Sequence, residues 1–334
     1  MKRRAVAITM LAVLLLPFMS LSAGEIEEDQ GVYEYVLTKI SGDQQTNLAQ
    51  LKQAFSQAGW QILTADVHRS PSGCNYKAIV VSVYDSAYGA QLLGYNAQTA
   101  PFALVDRVNL FEDENGLNVS IVNPVNVLRT VLMDDEKYTA FADAHRQKLR
   151  EIIASALKGT VSRKQYGEIR DEGYIGRTMG VMAGGAFAEK IETVARFNEA
   201  NIDAVVNNIK TALQNNKGEW GIVARYVLKV PGRSLAVIGL SSPKIESRSY
   251  EIVKEGGDDS REDFRCPGIA HAGAYPFELV ITGNGKQLQA QMVEAMYRMK
   301  MFFEDAGMMA FASNMTMPGS IQDEVEAVVK QAAK

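Results

Sequence analysis

The sequence predicts an α+β fold of two tandem modules, each with the element order β-α-β-β-α-β-β, packed as an intramolecular pseudo-dimer. The chain contains two tryptophans, and aligning Trp60 on Trp220 brings GWQILTADV (59–67) into register with EWGIVARYV (219–227). In both places a glycine closes an amphipathic helix just ahead of the tryptophan, and a β-type run precedes the helix. We therefore expect both tryptophans to anchor the same core strand by apolar packing. Helices and strands do not alternate regularly, which favours α+β over a doubly wound sheet.

The elements of the first module follow from apolar periodicity. A β-type run precedes a helix that carries Leu48, Leu51 and Phe55 on one face, and the strand that opens with Trp60 comes next. A buried strand then leads into a second helix, and a hairpin with a short acidic connection follows. These stretches are VYEYVLTKI (32–40), NLAQLKQAFSQAG (47–59), YKAIVVSVYDSAYGAQLLGY (76–95) and RVNLFEDENGLNVSIVNP (107–124), and a helix at 136–157 follows the module.

The second module repeats this order with different loop lengths. We predict its hairpin at 298–315, because Arg298 and a following Phe-Glu-Asp match Arg107 and its Phe-Glu-Asp. The rival match of PFALV (101–105) with PFELV (276–280) requires another register and is set aside. The remaining elements are a strand in KIETVARF (190–197), a helix in NIDAVVNNIKTALQNNKG (201–218), a strand that runs into a helix in YPFELVITGNGKQLQAQMVEAM (275–296) and a helix at 320–333.

These alignments define the domain boundaries. The first module covers 31–133, a helix and glycine-rich linker cover 134–188, and the second module covers 189–334. Because loops tolerate changes in length, residues 228–274 are assigned to a long insertion in the second module. Long insertions in compact domains are usually functional, so we predict that this segment covers a binding site or docks a partner.

The first residues have the layout of a secretory signal peptide. Residues 1–23 contain three basic residues, an apolar run and a small-residue end at Ala23. The apolar run is too short to favour spanning a bilayer, and no later run approaches the length of a membrane helix. We therefore expect export to the periplasm or secretion, and no membrane span after cleavage.

The charge pattern argues against a nucleic-acid partner. Removing the three basic residues of the leader changes the formal net charge from −4 to −7, and the charges are interspersed along the chain. Nucleic-acid-binding proteins instead carry basic patches or stripes. We expect the partner to be a small ligand or a periplasmic protein.

Three stretches resemble the family known as domain of unknown function 302. They are the helix ending in AGW (58–60), the hairpin LFEDENGLNVSIVNP (110–124) and the turn in ITGNGK (281–286). In the family this turn is commonly Gly-Asn-Pro, so Gly283 and Asn284 match it and the third residue does not. The resemblance implies two tandem copies of a compact α+β module behind a signal peptide. It supplies no catalytic residues, because the family has no settled activity.

The two cysteines are candidates for one disulfide. Cys74 and Cys266 each lie in a loop ahead of a predicted strand, and a pseudo-twofold arrangement brings equivalent loops together. An exported protein meets an oxidising compartment, which permits the bond. The alternative is two unpaired cysteines. The sequence has no CxxC motif, so a thioredoxin-type site is not expected.

Two histidines accompany the cysteines. His68 lies six residues before Cys74, and His271 lies five residues after Cys266. Two Cys and two His at a module interface are suitable ligands for copper or zinc, but these spacings match no established metal motif. No resident cofactor is therefore expected. His145, on the helix after the first module, is expected to face solvent.

The glycine-rich stretch YIGRTMGVMAGGAFAEK (174–190) lacks the features of a P-loop or a dinucleotide fingerprint. It is interpreted as an inter-module connection in which Arg177 contacts an anion. The carboxylates of Glu304 and Asp305 are expected to be solvated in a hairpin turn. The late methionines, including Met292 and Met299, are interpreted as core residues because they recur at helical or strand spacing.

No catalytic arrangement is recognisable in the sequence. It contains neither GxSxG nor HExxH. We therefore expect a non-enzymatic protein that binds a small ligand or a partner protein through the loops between the modules. The alternative is a thiol- or metal-dependent redox accessory protein that uses Cys74, Cys266, His68 and His271.

Overall fold

The computed structural model of the protein describes residues 30–71, 73–132, 138–170, 185–256, 267–283 and 286–334. The predicted signal peptide, Arg177 and Cys266 lie outside these ranges. Within them, no helix combines the length and the apolar character that crossing a membrane requires.

The first half of the chain alternates strands and helices in the predicted order. Its elements are β1 (Gln30–Ile40), α1 (Gln44–Gln57), β2 (Gln61–Arg69), β3 (Lys77–Tyr84), α2 (Ser86–Tyr95), a 3-10 helix (Ala100–Ala103), β4 (Asp106–Asp113), β5 (Gly116–Val122), α3 (Pro124–Val131), α4 (Tyr138–Ala156), β6 (Thr160–Val161) and β7 (Gln165–Arg170).

The second half begins with the same order of elements and ends in extra helices. Its elements are a 3-10 helix (Phe187–Lys190), β8 (Ile191–Phe197), α5 (Ile202–Gln214), β9 (Val223–Lys229), β10 (Leu235–Ser241), α6 (Pro243–Gly256), a 3-10 helix (Pro267–Ala274), β11 (Phe277–Gly283), β12 (Leu288–Val293), α7 (Ala295–Phe303), a 3-10 helix (Glu304–Ala306), α8 (Met308–Ser313) and α9 (Thr316–Ala332).

Local capping chemistry fixes where several helices begin. The side chain of the residue before the helix accepts a backbone N–H from the first turn of α1, α2, α3 and α5. These capping residues are Asp43, Asp85, Asn123 and Asn201, all of types that favour this position. Each helix therefore starts where the sequence places a short oxygen-bearing side chain ahead of an apolar run.

The fold is α+β, with antiparallel pairing throughout the described strands. The first sheet has the order β2-β3-β4-β5-β1, with β6 and β7 both paired to β1, and the second has the order β9-β10-β11-β12-β8. In both sheets the second to fifth strands of that half lie side by side in chain order, and the first strand of the half pairs with the fifth. The edge strands β2 and β9 contact each other.

Helix α4 is attached to the first sheet by a buried ion pair. Arg150 donates from Nε to Glu34 Oε1 at 2.6 Å and from Nη2 to Glu34 Oε2 at 2.5 Å. Glu34 is fully buried on β1. A two-pronged guanidinium–carboxylate contact fixes orientation as well as distance, so α4 has one position against the sheet.

The hydrophobic core has two parts. One cluster lies between the first sheet and helices α1 and α4, and it contains Phe55 and Trp60. The other cluster includes residues of both halves, from Tyr33 on β1 to Val329 on α9. Because a single cluster continues across both halves, their apolar surfaces are buried against each other.

The predicted second hairpin at 298–315 is wrong. This stretch forms α7, a 3-10 helix and α8, and the second hairpin is β11–β12. The predicted helix after the strand in 275–296 is wrong as well, because residues 288–293 form β12 and pair with β11. Most side chains of α7 are buried, so its large apolar residues do not follow one helical face. A buried helix and a buried strand are difficult to separate by periodicity alone. β11 corresponds to β4 in the first half. The match of PFALV (101–105) with PFELV (276–280) is therefore closer to the true register than the match of Arg107 with Arg298.

The interpretation of 228–274 as an insertion is also wrong. Within it, residues 235–241 form β10, whose side chains are all buried. β10 pairs with β9 on one side and β11 on the other. The following helix, α6, occupies the place in the second half that α2 has in the first. The segment is part of the fold, and its deletion would remove an inner strand.

Candidate functional site

The 3-10 helix Pro267–Ala274 lies where the two halves meet. Asn109 on β4 donates from Nδ2 to the carbonyl oxygens of Ile269 at 3.3 Å and Ala270 at 3.2 Å. Tyr166 on β7 donates from its hydroxyl to the same Ala270 oxygen at 2.8 Å. Side chains of the first half thus satisfy backbone acceptors of the second, which buried carbonyl groups require.

A layer of polar side chains accompanies this helix between the halves. Strands β2, β3 and β4 pair so that Thr64, Ser82 and Arg107 form one cross-strand row. Several buried side-chain atoms of the layer have no hydrogen-bond partner among the described residues. These atoms are Asp66 Oδ2, His68 Nε2, Ser82 Oγ, Arg107 Nε, Asn109 Oδ1, Arg225 Nε and Tyr226 Oη. This number of buried polar atoms without a hydrogen-bond partner distinguishes the layer from an ordinary core, where buried polar groups are paired.

His68 forms part of this layer. Its Nδ1 lies 2.9 Å from the Tyr250 hydroxyl and 3.1 Å from Glu246 Oε2. Glu246 also accepts from Ser241 Oγ at 2.5 Å and from Arg225 Nη2 at 3.4 Å. The histidine therefore connects β2 to helix α6 of the other half through side-chain contacts.

Two carboxyl groups near His68 have pKa values shifted in opposite directions. Burial raises the pKa of Asp66, and the attraction of Arg225 and His68 only partly offsets it. Burial also acts to raise the pKa of Glu246, but the hydrogen bond and charge of His68, with Ser241 and Arg225, lower it overall. The difference arises because Glu246 has direct partners for its charge and Asp66 has few.

A second ionic cluster joins β4, β11 and α7. Glu278 binds Arg107 directly and accepts from Arg298 Nε at 3.2 Å. Burial alone would raise the pKa of Glu278, but the two guanidinium groups outweigh it and lower the pKa. The Phe302 ring lies 5.0 Å from the Arg107 guanidinium and 4.6 Å from that of Arg298. Arg107 and Arg298, which the sequence alignment paired, thus lie on elements that do not correspond, a strand and a helix. Both nevertheless bind the carboxylate of Glu278.

His271 makes its contacts with α7 and the residues after it. Its Nε2 lies 2.9 Å from both carboxylate oxygens of Asp305. The ring stacks on Phe303 with centroids 5.7 Å apart and meets Tyr33 edge-on at 5.0 Å. The prediction that Asp305 is solvated is wrong, because its side chain is 5% exposed.

His145 is buried, so the prediction that it faces solvent is wrong. Its ring stacks between Tyr88, at 3.5 Å, and Trp60, at 5.2 Å. Its Nε2 lies 2.8 Å from Asp106 Oδ2. The predicted core role of Trp60 is confirmed, and part of that core is a histidine ring.

A cavity of about 60 Å³ lies within the second half. Helices α6, α7 and α9 enclose it together with the start of β11 and the end of β12, and we call it the second-half cavity. Its apolar lining residues are Ile245, Ile252, Phe277, Met292, Val293, Ala295, Met299, Phe303, Met317, Pro318 and Ile321. Met292 and Met299 therefore line this cavity as well as filling the core.

Three polar side chains line the second-half cavity, namely Ser249, Tyr275 and Arg298. Ser249 Oγ and Tyr275 Oη lie 2.6 Å apart and share one hydrogen bond. Burial raises the pKa of Tyr275 to about 12, so its hydroxyl is protonated at neutral pH. Arg298 connects the cavity to the ionic cluster around Glu278. The cavity thus has an extended apolar surface and one small polar region.

The structure separates the predicted site residues. His68 contacts Glu246 and Tyr250, whereas His271 contacts Asp305. Cys74 lies in the β2–β3 loop, where its carbonyl oxygen accepts from Ser70 Oγ at 2.8 Å. Across the parts of the chain that the structure describes, no three His, Cys, Asp or Glu side chains are grouped to hold a metal ion.

Sequence reasoning did not identify the cavity. Arg298, Ser249 and Tyr275 are distant in the chain and belong to no motif, and Ser249 fell in the presumed insertion. One signal was available, since Arg298 is a charged residue within MYRMKMFF (296–303), an otherwise largely apolar run. A charge in such a context is usually paired or functional.

Comparisons with known proteins give a structural likeness and no match in sequence. No family model matches the chain, and no curated protein matches it. A crystal structure of an uncharacterised conserved protein DUF302 from Bacillus stearothermophilus is similar, with 12% sequence identity and a TM-score of 0.31. The likeness covers 38% of this chain and 98% of the other.

Proposed function

We propose that this protein is an exported, non-enzymatic binding protein that takes a small, largely apolar ligand into the second-half cavity. The cavity itself carries the proposal, because an apolar space with a few convergent polar groups is the usual form of a small-molecule site. Its polar groups are not arranged as a nucleophile with a base. The Ser249 hydroxyl is hydrogen-bonded to Tyr275, and this tyrosine stays protonated at neutral pH and so cannot act as the base.

The walls of the cavity support binding rather than simple packing. α6, α7 and α9 all belong to the second half, and their side chains leave the space between them unfilled. Natural cores rarely keep voids larger than a water molecule, because each void forfeits contacts. A ligand that fills the cavity would restore those contacts and stabilise the folded state.

Calorimetry with 1-hexanol, a neutral probe of the cavity, tests the proposal. The variant Ala295→Phe places a phenyl ring on a lining residue, and we expect affinity for 1-hexanol to fall at least about tenfold while the protein stays folded. Ala327→Phe is the matched control, because Ala327 is exposed on α9. Unchanged binding by Ala295→Phe, or no binding by the native protein, would rule the proposal out.

We also propose export through residues 1–23 and a disulfide between Cys74 and Cys266. Cys74 is not a free thiol. A Cβ built at the neighbouring Gly73 would lie 3.7 Å from Lys254 Nζ, so the β2–β3 loop lies close to the end of α6. Cys266 directly precedes the 3-10 helix that packs on β2 and β3.

Mass spectrometry of the exported protein tests both points. We expect a mature chain that starts near residue 24 and takes up thiol label at neither cysteine until it is reduced. Two labelled cysteines before reduction would disprove the disulfide, and an intact leader on the exported protein would disprove the cleavage.

We further propose that each half is one copy of the domain of unknown function 302 module. The support is the shared element order and the shared strand order of the two sheets. Equal connectivity in both halves is the expected outcome of a tandem duplication. A solved structure of the isolated family module with a different strand order would contradict this assignment.

A further inference from the structure

We infer that the ligand of the second-half cavity is a short- or medium-chain monocarboxylate, with its carboxylate bound by Arg298 and the Ser249–Tyr275 hydroxyl pair. The inference rests on the proposed function, since it names the ligand class of the same cavity. Three properties support it: the excess positive charge beside the cavity, the unused hydrogen-bond donors in its lining, and its volume.

The charge of the ionic cluster is unbalanced on the cavity side. Arg107 and Arg298 share one carboxylate, that of Glu278, so the three groups together carry one excess positive charge. Arg298 is 9% exposed. Burial and the repulsion of Arg107 lower the pKa of Arg298, while Glu278 opposes this shift. A buried charge without a full complement of opposite charge is costly, and an anion beside it reduces that cost.

Two other buried acids of the molecule, Asp305 and Glu246, are already engaged. Asp305 follows α7, and His271 Nε2 contacts both of its carboxylate oxygens. Glu246, on α6, is bound to His68 and Arg225. Each of these acids therefore has its own cationic or histidine partner, and Arg298 has only its share of Glu278.

Arg298 also has an unused donor. Its Nε binds Glu278, and its Nη2 binds the carbonyl oxygens of Ala274 at 2.6 Å and Pro276 at 3.4 Å. Among the described residues, its Nη1 makes no hydrogen bond. Because Arg298 lines the second-half cavity, this end of the guanidinium is available to a ligand.

The hydroxyl pair supplies a second donor. Ser249 and Tyr275 have two hydroxyl hydrogens and use one between them. The other hydrogen remains to be donated to an acceptor in the cavity. A guanidinium N–H and an O–H together match the two oxygens of a carboxylate, and hydrogen bonds to a charged acceptor are stronger than neutral ones.

The volume limits the length of the chain. One water-sized group needs roughly 10–15 Å³ of such space. The cavity of about 60 Å³ therefore accepts on the order of five groups. An acid of about five to seven carbons fills the apolar part with its chain when the carboxylate lies at Arg298.

The test is calorimetric titration of the full mature protein with two matched series of ligands. One series runs from butanoate to decanoate, and the other contains the primary alcohols of equal chain length. We expect affinity in both series to rise about three- to fourfold per methylene and to level off at about five to seven carbons. At equal length the carboxylate should bind at least about tenfold more tightly than the alcohol.

The two proposals fail in different ways. If neither series binds, the proposed function is wrong. If the alcohol binds as tightly as the carboxylate, the cavity binds apolar ligands, but the inference of an anionic head group is wrong. If octylamine competes as well as octanoate, the role assigned to the excess positive charge is wrong.

Variants separate the head-group contacts from the fold. The double change Ser249→Ala with Tyr275→Phe removes the hydroxyl donor and leaves the Arg107–Glu278–Arg298 cluster intact. We expect it to weaken octanoate about tenfold and to leave the melting temperature close to that of the native protein. Ser247→Ala, on the same helix but outside the lining of the cavity, should bind like the native protein. Equal affinity of the double variant and the native protein would overturn the assigned contacts.

Discussion

Asp66 and Glu246 show how neighbouring carboxyl groups acquire opposite properties. Both lie beside His68 and Arg225, but Glu246 has the closer contacts, with His68 at 3.1 Å and Ser241 at 2.5 Å. Asp66 keeps one oxygen without a partner. At the residue scale, the protein therefore stabilises one negative charge in the layer between its halves and disfavours another.

We predict that Asp66→Asn raises the melting temperature at neutral pH by a few degrees. This corresponds to a gain on the order of 1 kcal/mol in the free energy of unfolding. The folded pKa of Asp66 lies above its ordinary value of 3.8, so the protonated form favours folding and that contribution disappears as the pH rises through the folded pKa. The asparagine amide is neutral at every pH, so the cost of burying a charged carboxylate at neutral pH disappears. Melting curves at pH 7 and pH 3.5 measure this, and a variant that is less stable at pH 7 contradicts it.

Glu246→Gln should have the opposite effect. The folded pKa of Glu246 lies below its ordinary value of 4.5, so its contribution is present above that value and is lost as the pH falls through the folded pKa. We expect a loss of about 3 kcal/mol at pH 7, because removal of one partner leaves other buried charges unpaired. The difference from the native protein should shrink below pH 4.5.

Denaturant unfolding across this pH range gives the comparison. Glu251→Gln is the control on the same helix, since Glu251 pairs with Arg248 at the surface and such pairs contribute about 0–1 kcal/mol. A pH-independent loss for Glu246→Gln would mean that its role is packing and not charge.

At the scale of elements, the 3-10 helix Pro267–Ala274 depends on the other half of the molecule. A 3-10 helix has weaker internal hydrogen bonds than an α-helix, and its carbonyl groups here are bound by Asn109 and Tyr166. The helix is thus held by β4 and β7, which the chain places more than a hundred residues earlier.

We predict that Asn109→Ala lowers the free energy of unfolding by about 1–3 kcal/mol, because the Ile269 oxygen loses its side-chain donor and the Ala270 oxygen keeps only the Tyr166 hydroxyl. Amide hydrogen exchange should accelerate in residues 268–274 and stay unchanged in β12. Acceleration spread evenly over the second half would show that Asn109 supports the whole fold and not this helix.

Elements also show where sequence patterns are reliable. The amphipathic helices α1 and α5 were predicted correctly, because one face of each is solvated and the periodicity is clear. α7 was mistaken for a hairpin strand, because MYRMKMFF (296–303) is buried on most sides and carries no such contrast. β10 was overlooked for a related reason, since a fully buried strand is a short apolar run without alternation.

At the scale of the whole molecule, the two halves share one apolar cluster and several side-chain contacts. Tyr33 on β1 donates to the carbonyl oxygen of Phe302 at 3.0 Å, and His68 binds Tyr250 at 2.9 Å. Burial raises the pKa of Tyr33 well above its ordinary value, as expected for a fully buried phenol. Each half therefore buries part of its apolar surface against the other half.

We therefore predict a single cooperative thermal transition for the intact protein. Differential scanning calorimetry should give one peak whose calorimetric and van't Hoff enthalpies agree. A fragment that ends after β7 should lack a cooperative transition, because it would expose the cluster that the second half covers. Two separate peaks in the intact protein would indicate halves that fold independently.

The sequence by itself determined the helix starts, the β-α-β opening of each half and the burial of Trp60 and Trp220, since capping residues and half-solvated periodicity are local signals. Only the tertiary structure decided which charged residues meet. Arg107, Glu278 and Arg298 come from three distant elements, and no local pattern couples them. The second-half cavity likewise exists only after three helices pack on β11 and β12, because a void depends on the shapes of all its walls together.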